Sequence, residues 1–456
     1  MGEFNVSQIG RLITTIWLAL RGRVESRVPF WSERAIRWRQ TRNLRRIVAH
    51  AFRHVPYYQD LAKSYGFSAR DFRTCDDLAR LPLIDGRMLQ EDPLAFVSTA
   101  FPRSSLVKLY STGTAAYGAK TVYWHPRELL SKISYGERDR RILRQLVGKS
   151  HGLVRLSFFH PDSSTSTVSR FHAKRLLVPQ AMMKTHWASC ELPYEEVTQL
   201  LTELHPDVVY SYGSFAESFL LHILDKRLDI HLPKVWVFGA DGVTAEGRQL
   251  IENDLGCRLY STYQAVECGR IGFECEKGSG YHINTDFCHV GLVNERGETV
   301  DPGKIGEVVI SSLNNPGSIL LNYRLGDYAN WSTEPCACGR TLPLLHLTGA
   351  RTTSFLRLRD GRELQEHVLV NACKSSIHDV LQFQVIENTP ESIVWRIVLA
   401  QNADFGRIAT DLKKRSRSVM SADADIQVEA VDRIVLPPGS KLTRVIRASE
   451  DVDIAP

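Results

Sequence analysis

The stretch Asp207 to Gly269, DVVYSYGSFAESFLLHILDKRLDIHLPKVWVFGADGVTAEGRQLIENDLGCRLYSTYQAVECG, decides the architecture, because strand and helix patterns alternate in it at regular spacing. Val208-Val209-Tyr210 is a short apolar run suited to a buried strand. Ser214 with Glu217 three residues later predicts a helix opened by a reciprocal cap, in which each side chain satisfies an exposed amide of the other. Val235 to Phe238 reads as the next strand, Thr244 to Leu255 as a helix stopped by Gly256, and Arg258 to Thr262 as a third strand. Strands joined by helices at this spacing imply a parallel sheet with crossover connections. Ligands of such sheets sit beyond the carboxyl ends of the strands, which here means Gly239-Ala240-Asp241 and Tyr263 to Gly269.

Working outward, a strand from Leu106 to Tyr110 meets a small, hydroxyl-rich loop, Ser111 to Gly118, and a second strand leaves at Thr121 to Trp124. Residues 35 to 90 read as helices, with Ile36, Leu44, Ile47, Val48 and Phe52 at helical spacing. After residue 280 the texture changes to short strands and tight turns at Asn294 to Gly297, Asp301-Pro302-Gly303 and Asn315-Pro316-Gly317. Past Arg351 a compact α+β unit is expected: a strand at Phe355 to Leu358, a turn at Asp360-Gly361, a helix over Leu364 to Cys373, two strands around Glu387 to Glu391, a helix from Phe405 to Val419 and a strand at Ile426 to Val431.

With 456 residues, 43% apolar and 24% charged, the chain has ordinary globular composition, which excludes a disordered or collagen-like protein and leaves room for a cleft between domains. A net charge of +6 does not mark a nucleic-acid binder, and no basic, aromatic-interleaved stripe accompanies the cysteines. Nine cysteines and no export signal point to reduced thiols and a cytoplasmic location. Ile9 to Leu20 is too short an apolar run for a membrane span and is interrupted by Arg11; it reads as an amphipathic helix docked on the surface, with peripheral membrane contact as the lesser alternative.

Three segments carry candidate chemistry. Small residues in the Ser111 to Gly118 loop let backbone amides approach phosphate oxygens, Ser111, Thr112 and Thr114 add hydroxyls, and Lys120 adds a charge. Tyr323-Arg324-Leu325-Gly326-Asp327 places a carboxylate just after a glycine, which suits vicinal ribose hydroxyls. Tyr263-Gln264-Ala265-Val266-Glu267 places another acid at a strand end. Each alone is an ordinary turn or loop; their order is what carries weight.

That order resembles the adenylate-forming superfamily of acyl-coenzyme A synthetases, peptide-synthetase adenylation domains and luciferases, and within it the phenylacetate-coenzyme A ligase branch with its capsule-biosynthesis relatives. His54-Val55-Pro56-Tyr57-Tyr58 and Leu81-Pro82-Leu83 are similar to the branch's N-terminal signature, and Ser111 to Lys120 to its phosphate loop. Gly239-Ala240-Asp241, Tyr263 to Glu267 and Tyr323 to Asp327 are similar to the motifs on the adenine, metal and ribose sides. Gly349-Ala350-Arg351 resembles the opening of the mobile C-terminal domain, and Gly439-Ser440-Lys441 its terminal lysine motif.

The resemblance implies an α/β fold: an N-terminal adenylating domain, residues 1–350, with a parallel-sheet core and a β-rich subdomain, and a small mobile α+β domain, residues 351–456. It implies ATP-dependent, AMP-forming activation of a carboxylic acid, expected to be aromatic, then transfer to coenzyme A. Glu267 would bind Mg²⁺; Ser111, Thr112, Gly113, Thr114 and Lys120 the β- and γ-phosphates; Gly239, Ala240, Asp241 and Tyr263 the adenine side; Asp327 and Arg351 the ribose. Lys441 would bridge the carboxylate and the α-phosphate, and Tyr210, Tyr212, Phe238 and Gln264 would line the acid pocket. The expected partners are a small acid and an acyl acceptor, with no nucleic acid; a homodimer is the candidate assembly.

Departures from the family pattern keep other outcomes open. Ala115 and Ala116 replace a hydroxyl residue and a glycine in the loop, Val266 replaces the threonine before the glutamate, and only Thr352, Thr353 and Ser354 stand where a hinge acid is usual. Transfer to an amine, a hydroxyl or a carrier-protein thiol, or a weakly catalytic nucleotide-binding homologue, are the alternatives. The spacing Cys275-x6-His282 with Cys336-x-Cys338 is looser than a zinc finger and is also compatible with buried unpaired thiols. The segments around it resemble the variant of the ligase branch that carries a Cys/His set, which implies structural Zn²⁺ on Cys275, His282, Cys336 and Cys338, with Cys268 spare.

Overall fold

The computed structural model describes residues 7–111, 120–177, 183–351, 355–358, 363–365, 379–389, 391–432, 434 and 445–447, with only the backbone of 349–351, 355, 357, 363, 365 and 447. In chain order the strands are β1 Val107–Ser111, β2 Lys120–Trp124, β3 Leu153–Phe158, β4 Met183–Ala188, β5 Val208–Tyr212, β6 Val235–Gly239, β7 Arg258–Ala265, β8 Gly269–Glu274, β9 Tyr281–Ile283, β10 Cys288–Val293, β11 Gly306–Ser312, β12 Tyr323–Trp331 and β13 Leu344–Arg351. The C-terminal part adds β14 Phe355–Arg357, β15 Glu363–Gln365, β16 Val380–Thr389, β17 Ser392–Leu399, β18 Asp425–Ala430 and β19 Val445–Arg447.

Eleven strands form one sheet in the order β10-β11-β12-β13-β9-β8-β7-β6-β5-β3-β4. Its β7-β6-β5-β3-β4 half is parallel, as the alternating pattern predicts, and from β8 onward every pairing is antiparallel. The α/β fold expected from the sequence is therefore the one observed. The strands β3 and β4 that extend the parallel half lie outside the stretch read as a regular alternation.

Period-2 side-chain alternation distributes the core over both faces. Trp236 and Phe238 of β6 join Val209 and Leu259 under the helices Tyr194–Leu204, Gly213–Lys226 and Ala245–Asp254, while Val235 and Val237 face the other side with Ile142 and Tyr260. The β1–β2 hairpin and the helices before it pack on the antiparallel half through Leu44, Val48, Tyr58, Trp124 and Tyr323. The C-terminal residues build a separate sheet, β18-β17-β16-β19, whose core of Val385, Trp395, Ile397, Ile408 and Leu412 is closed by the helix Phe405–Val419. It touches the large domain where Leu381 packs beside the helix Gly213–Lys226 and where the Gln401 amide donates to Asp225 at 3.0 Å.

Two local expectations are corrected. The cap at Ser214 does not form: the helix starts one residue earlier, at Gly213, and Glu217 accepts instead from Thr244, the cap of the helix Ala245–Asp254. The segment Glu363–Gln365 is a strand paired with Phe355–Arg357, so Leu364 opens no helix; residues 366–373 of that expectation lie outside the described residues, as does the turn at Asp360-Gly361. A β-pair satisfies backbone groups that an uncapped helix start would leave exposed.

The first two helices, α1 Gln8–Glu25 and α2 Glu33–His54, are tied to the sheet by a buried ion cluster. Arg138 is fully enclosed and donates to Glu25 Oε2 at 2.6 Å and to both oxygens of Asp286 at 2.7 Å, while Arg39 bonds the same two acids. Removing one partner of such a cluster leaves charges buried without compensation. Arg138→Met is expected to destabilise the protein by about 3 kcal/mol, read from urea unfolding. Burial acts to raise the Asp286 carboxyl, but the guanidinium of Arg138 outweighs it and holds the pKa below the ordinary value. A depressed carboxylate pKa contributes stability above the unfolded value that is lost as pH falls through the folded one, so the parent's advantage over the variant shrinks on acidification below the ordinary carboxylate range.

Candidate active site

The carboxyl ends of the parallel strands and the antiparallel strands beside them bring four separated segments together. Lys120 opens β2 and donates to the Tyr323 hydroxyl at 3.0 Å; Tyr323 in turn donates to Glu267 Oε1 at 3.4 Å, and the Lys120 ammonium lies 3.9 Å from that oxygen. Burial first, then the neighbouring Glu267, raise the phenol of Tyr323 above its usual range, so it keeps its proton and donates it to the carboxylate. Tyr263, near the end of β7, donates to Asp327 Oδ2 at 2.8 Å, and Asp327 and Glu267 are both buried. Gly326 makes this possible: its φ of 84° lies in the left-handed region and turns the strand just before the acid. The Trp124 indole donates to the Val266 carbonyl at 2.9 Å, which fixes the backbone next to Glu267.

The loop after β6 is held by a different device. Asp241 accepts from the Gly213 amide at 2.5 Å, from the Ser214 amide at 3.2 Å and from the Ser214 hydroxyl at 2.6 Å, so it caps the helix Gly213–Lys226 from across the sheet. A side chain at residue 213 would stand 2.8 Å from the Asp241 carbonyl, which is why a glycine is required at that close approach. Ala240 carries φ 75°, a left-handed conformation costly for a residue with a Cβ, as is common where a loop is shaped for a ligand. Gln264 extends beside this loop, its amide donating to Thr262 Oγ1 at 2.8 Å and lying next to Gly239.

The other sequence-predicted residues are placed as follows. Tyr210 and Tyr212 share one face of β5; the Arg155 guanidinium covers the Tyr210 ring at 3.8 Å, and burial pushes the Tyr212 phenol up to about 12. Phe238 does not join them, since its register sends it to the opposite face and into the core with Trp236. The Ser111 hydroxyl is buried at the end of β1 with no hydrogen-bond partner among the described residues. Arg351 stands opposite Asp327 in the β12–β13 pairing, with only its backbone described. Thr112, Gly113, Thr114 and Lys441 lie outside the described residues. Sequence reasoning gave no role to Tyr323, although it opens the motif that ends at Asp327; its signal was the aromatic hydroxyl at the head of that strand.

A second cluster lies where the β8–β9 turn meets the connection between β12 and β13. The ligating atoms of Cys275, His282, Cys336 and Cys338 all lie within 4.8 Å of one another, with Cys275 Sγ 3.6 Å from Cys336 Sγ and Cys338 Sγ 3.2 Å from His282 Nε2. A tetrahedral zinc–thiolate centre has edges of about 3.8 Å, so the quartet fits. His282 Nδ1 is 3.0 Å from the Leu342 carbonyl, which can only accept; the proton therefore sits on Nδ1 and the Nε2 lone pair faces the sulfurs. The Lys277 amide approaches Cys275 Sγ at 3.4 Å, the Ser279 hydroxyl approaches Cys336 Sγ at 3.3 Å, and Arg340 stands close by in an ion pair with Glu276; burial acts the other way on Cys275 and raises its thiol. Cys268 lies apart from this quartet and is a buried free thiol; none of the described cysteines is in a disulfide.

No protein-family model matches the chain. Among curated proteins it is 25% identical over 339 residues to the phenylacetate-coenzyme A ligase of Thermus thermophilus, covering 70% of this chain and 71% of that one. It is 21% identical over 394 residues to Protein CapK of Staphylococcus aureus, covering 84% and 83%. Among solved structures, a 2-hydroxyisobutyryl-CoA ligase in its postadenylation state with 2-HIB-AMP matches with a TM-score of 0.72 at 17% identity, over 92% of this chain and 90% of that one. The resemblance read from the sequence motifs is thus found again in curated relatives and in the fold of adenylate-forming ligases.

Proposed function

We propose that the chain is an AMP-forming ligase that activates an aromatic carboxylic acid with ATP to an acyl-adenylate and then delivers the acyl group to coenzyme A. The observation that carries this reading is the meeting, at the ligand end of the parallel strands, of Lys120, Tyr323 and Glu267 in one hydrogen-bonded chain beside the Tyr263–Asp327 pair. A carboxylate is a poor electrophile, and its attack on the α-phosphate is helped by cationic groups fixed where charge develops. Lys120 is such a group, held by Tyr323, and in sequence it follows the segment with Ser111, Thr112, Gly113 and Thr114 that is assigned to the phosphates. Glu267 is the hard oxygen ligand for Mg²⁺, which when bound offsets phosphate charge.

Asp327, oriented by the Tyr263 hydroxyl, is assigned to the ribose together with Arg351. The loop Gly239-Ala240-Asp241, fixed by the Asp241 cap, is assigned to the adenine, and Tyr210, Tyr212 and Gln264 to the acid. Residues 1–350 form the adenylating part and residues 351–456 the mobile domain that presents Lys441. The Cys275, His282, Cys336 and Cys338 quartet is assigned to a closed structural Zn²⁺ site.

The test is pyrophosphate release across a panel of aryl and alkyl acids, with and without coenzyme A. The expected result is aryl-dependent release and a coenzyme A thioester as product. Pyrophosphate without any thioester would move the acyl acceptor to an amine, a hydroxyl or a carrier-protein thiol. Absence of acid-dependent pyrophosphate with every acid would overturn the reading.

A further inference from the structure

The helix α1 is docked the wrong way round for an ordinary surface helix. At 100° per residue, Ile9, Leu12, Ile13, Ile16, Leu20 and Val24 fall within one arc of roughly 120°. That arc faces outward: these residues are 71%, 49%, 61%, 51%, 58% and 48% exposed. Of fifteen exposed large hydrophobic side chains among the described residues, these six share a single helix face, whereas isolated ones are normal on any protein.

The inward face is mostly polar, with Leu18 as its buried apolar side chain. Arg11 donates to the Leu176 carbonyl at 2.6 Å, Thr15 Oγ1 accepts from the Leu177 amide at 3.0 Å, Arg21 bonds Ser131 and Tyr135, and Glu25 enters the Arg138 cluster. The body therefore holds α1 by hydrogen bonds and ion pairs and leaves its hydrophobic ridge in water. Packing among the described residues leaves that ridge exposed, which makes it available to a surface outside the chain.

The charge around α1 identifies the cover. Residues 7–54 contain eleven arginines and no lysine, against the two acids Glu25 and Glu33; Arg11, Arg21 and Arg39 are engaged by the body, and the other eight (23, 27, 34, 37, 42, 45, 46 and 53) are exposed. On α2, Arg34, Arg37, Arg42, Arg45 and Arg46 are exposed and share one face with Trp38, which is 64% exposed and lies 5.8 Å from the Arg42 guanidinium. A second copy meeting this surface about a twofold axis would oppose like charges. A polyanion alone would answer the arginines and leave the ridge wet. A bilayer bearing anionic lipids answers both, since acyl chains take the aliphatic ridge, headgroups take the guanidinium groups, and tryptophan favours the boundary between them.

We propose that the outward face of α1, with the arginine face of α2, is a docking surface for an anionic membrane. No helix among the described residues is long and apolar enough to cross a bilayer, so the contact is interfacial. It favours peripheral membrane contact, the lesser of the two outcomes expected from the sequence for Ile9 to Leu20.

The experiment is co-sedimentation of the full chain with vesicles of phosphatidylcholine and phosphatidylglycerol, and with phosphatidylcholine alone. Binding is expected on the anionic vesicles and to weaken with salt. Ile13→Ser with Leu20→Ser should lower the bound fraction roughly tenfold or more, and Arg37→Glu with Arg45→Glu should lower it and flatten its salt dependence. Near-UV circular dichroism checks each variant's fold, and the arginine pair keeps the test open if the other pair misfolds. A parent that stays in the supernatant, or that binds neutral vesicles equally well, would overturn the proposal. So would a solution dimer that binds no vesicle and dissociates on Ile13→Ser with Leu20→Ser, which would give the face to a second copy. The readout is attachment rather than turnover, so it stands or falls separately from the ligase assignment.

Discussion

Lys441→Ala is expected to slow adenylate formation by about 10²–10³-fold, the usual loss when one preorganised charge is removed from a developing anion. The lysine follows Pro437-Pro438-Gly439-Ser440, where two prolines limit the backbone, and precedes by four residues the strand β19, which pairs in parallel with β16 at the sheet edge. An exposed lysine with no such task would change stability by less than about 0.5 kcal/mol and leave turnover intact. Two assays separate the cases: pyrophosphate release reports adenylation, and thioester formation from pre-made adenylate reports the second step. Loss in the first with retention in the second is the expected pattern. Parent-like pyrophosphate release in the variant would remove Lys441 from the reaction.

If the Cys/His quartet holds the proposed Zn²⁺, its loss is expected to have the largest effect on folding. Binding free energies for structural zinc run to about 10–16 kcal/mol, far beyond the loss of one packed thiol. The ligands come from three places, the end of β8, the middle of β9 and the β12–β13 connection, and β12 and β13 carry Asp327 and Arg351. Removal should therefore loosen the side of the sheet that carries Asp327 and Arg351 as well as the turn that holds the cysteines. Elemental analysis of protein purified without added metal should give about one zinc per chain. Cys338→Ser should lose it and unfold at lower temperature, while Cys268→Ser keeps it. Metal-free protein with the parent's melting temperature and activity would reduce the quartet to buried thiols and an imidazole.

The legible parts of the sequence were those in which a local rule and the tertiary structure agree. The run Val208 to Thr262 reads as a parallel sheet because fully buried strands are continuous apolar runs and their crossover helices carry caps and a terminal glycine; Gly256, with φ 65°, is such a terminus. Phe405–Val419 is a helix over the range its pattern indicates, because its apolar positions recur at helical spacing. The start of the helix Gly213–Lys226 was not legible, and the cap expected at Ser214 does not form. A carboxylate twenty-seven residues away, Asp241, reaches the same amides and displaces the local partner, and no window of sequence contains that competition. Phe238 likewise looked like a pocket residue by position, but a one-residue step along a strand moves a side chain to the other face.

By itself the sequence determined the order of elements, the parallel character of the central sheet and the residue types available for chemistry, since these depend on periodicity and on local backbone preference. Only the tertiary structure decided which of those residues meet: that Tyr323 links Lys120 to Glu267, that Tyr263 orients Asp327, and that Cys275 and Cys336, sixty-one residues apart, stand within 3.6 Å. It also decided which way α1 faces. An amphipathic pattern states that a helix has two unlike sides, but which side meets the body depends on partners elsewhere in the chain. Here the carbonyls of Ala173 and Leu176 and the buried Arg138 take the polar side. Long-range pairing of polar groups, which no local period encodes, turned the apolar side outward.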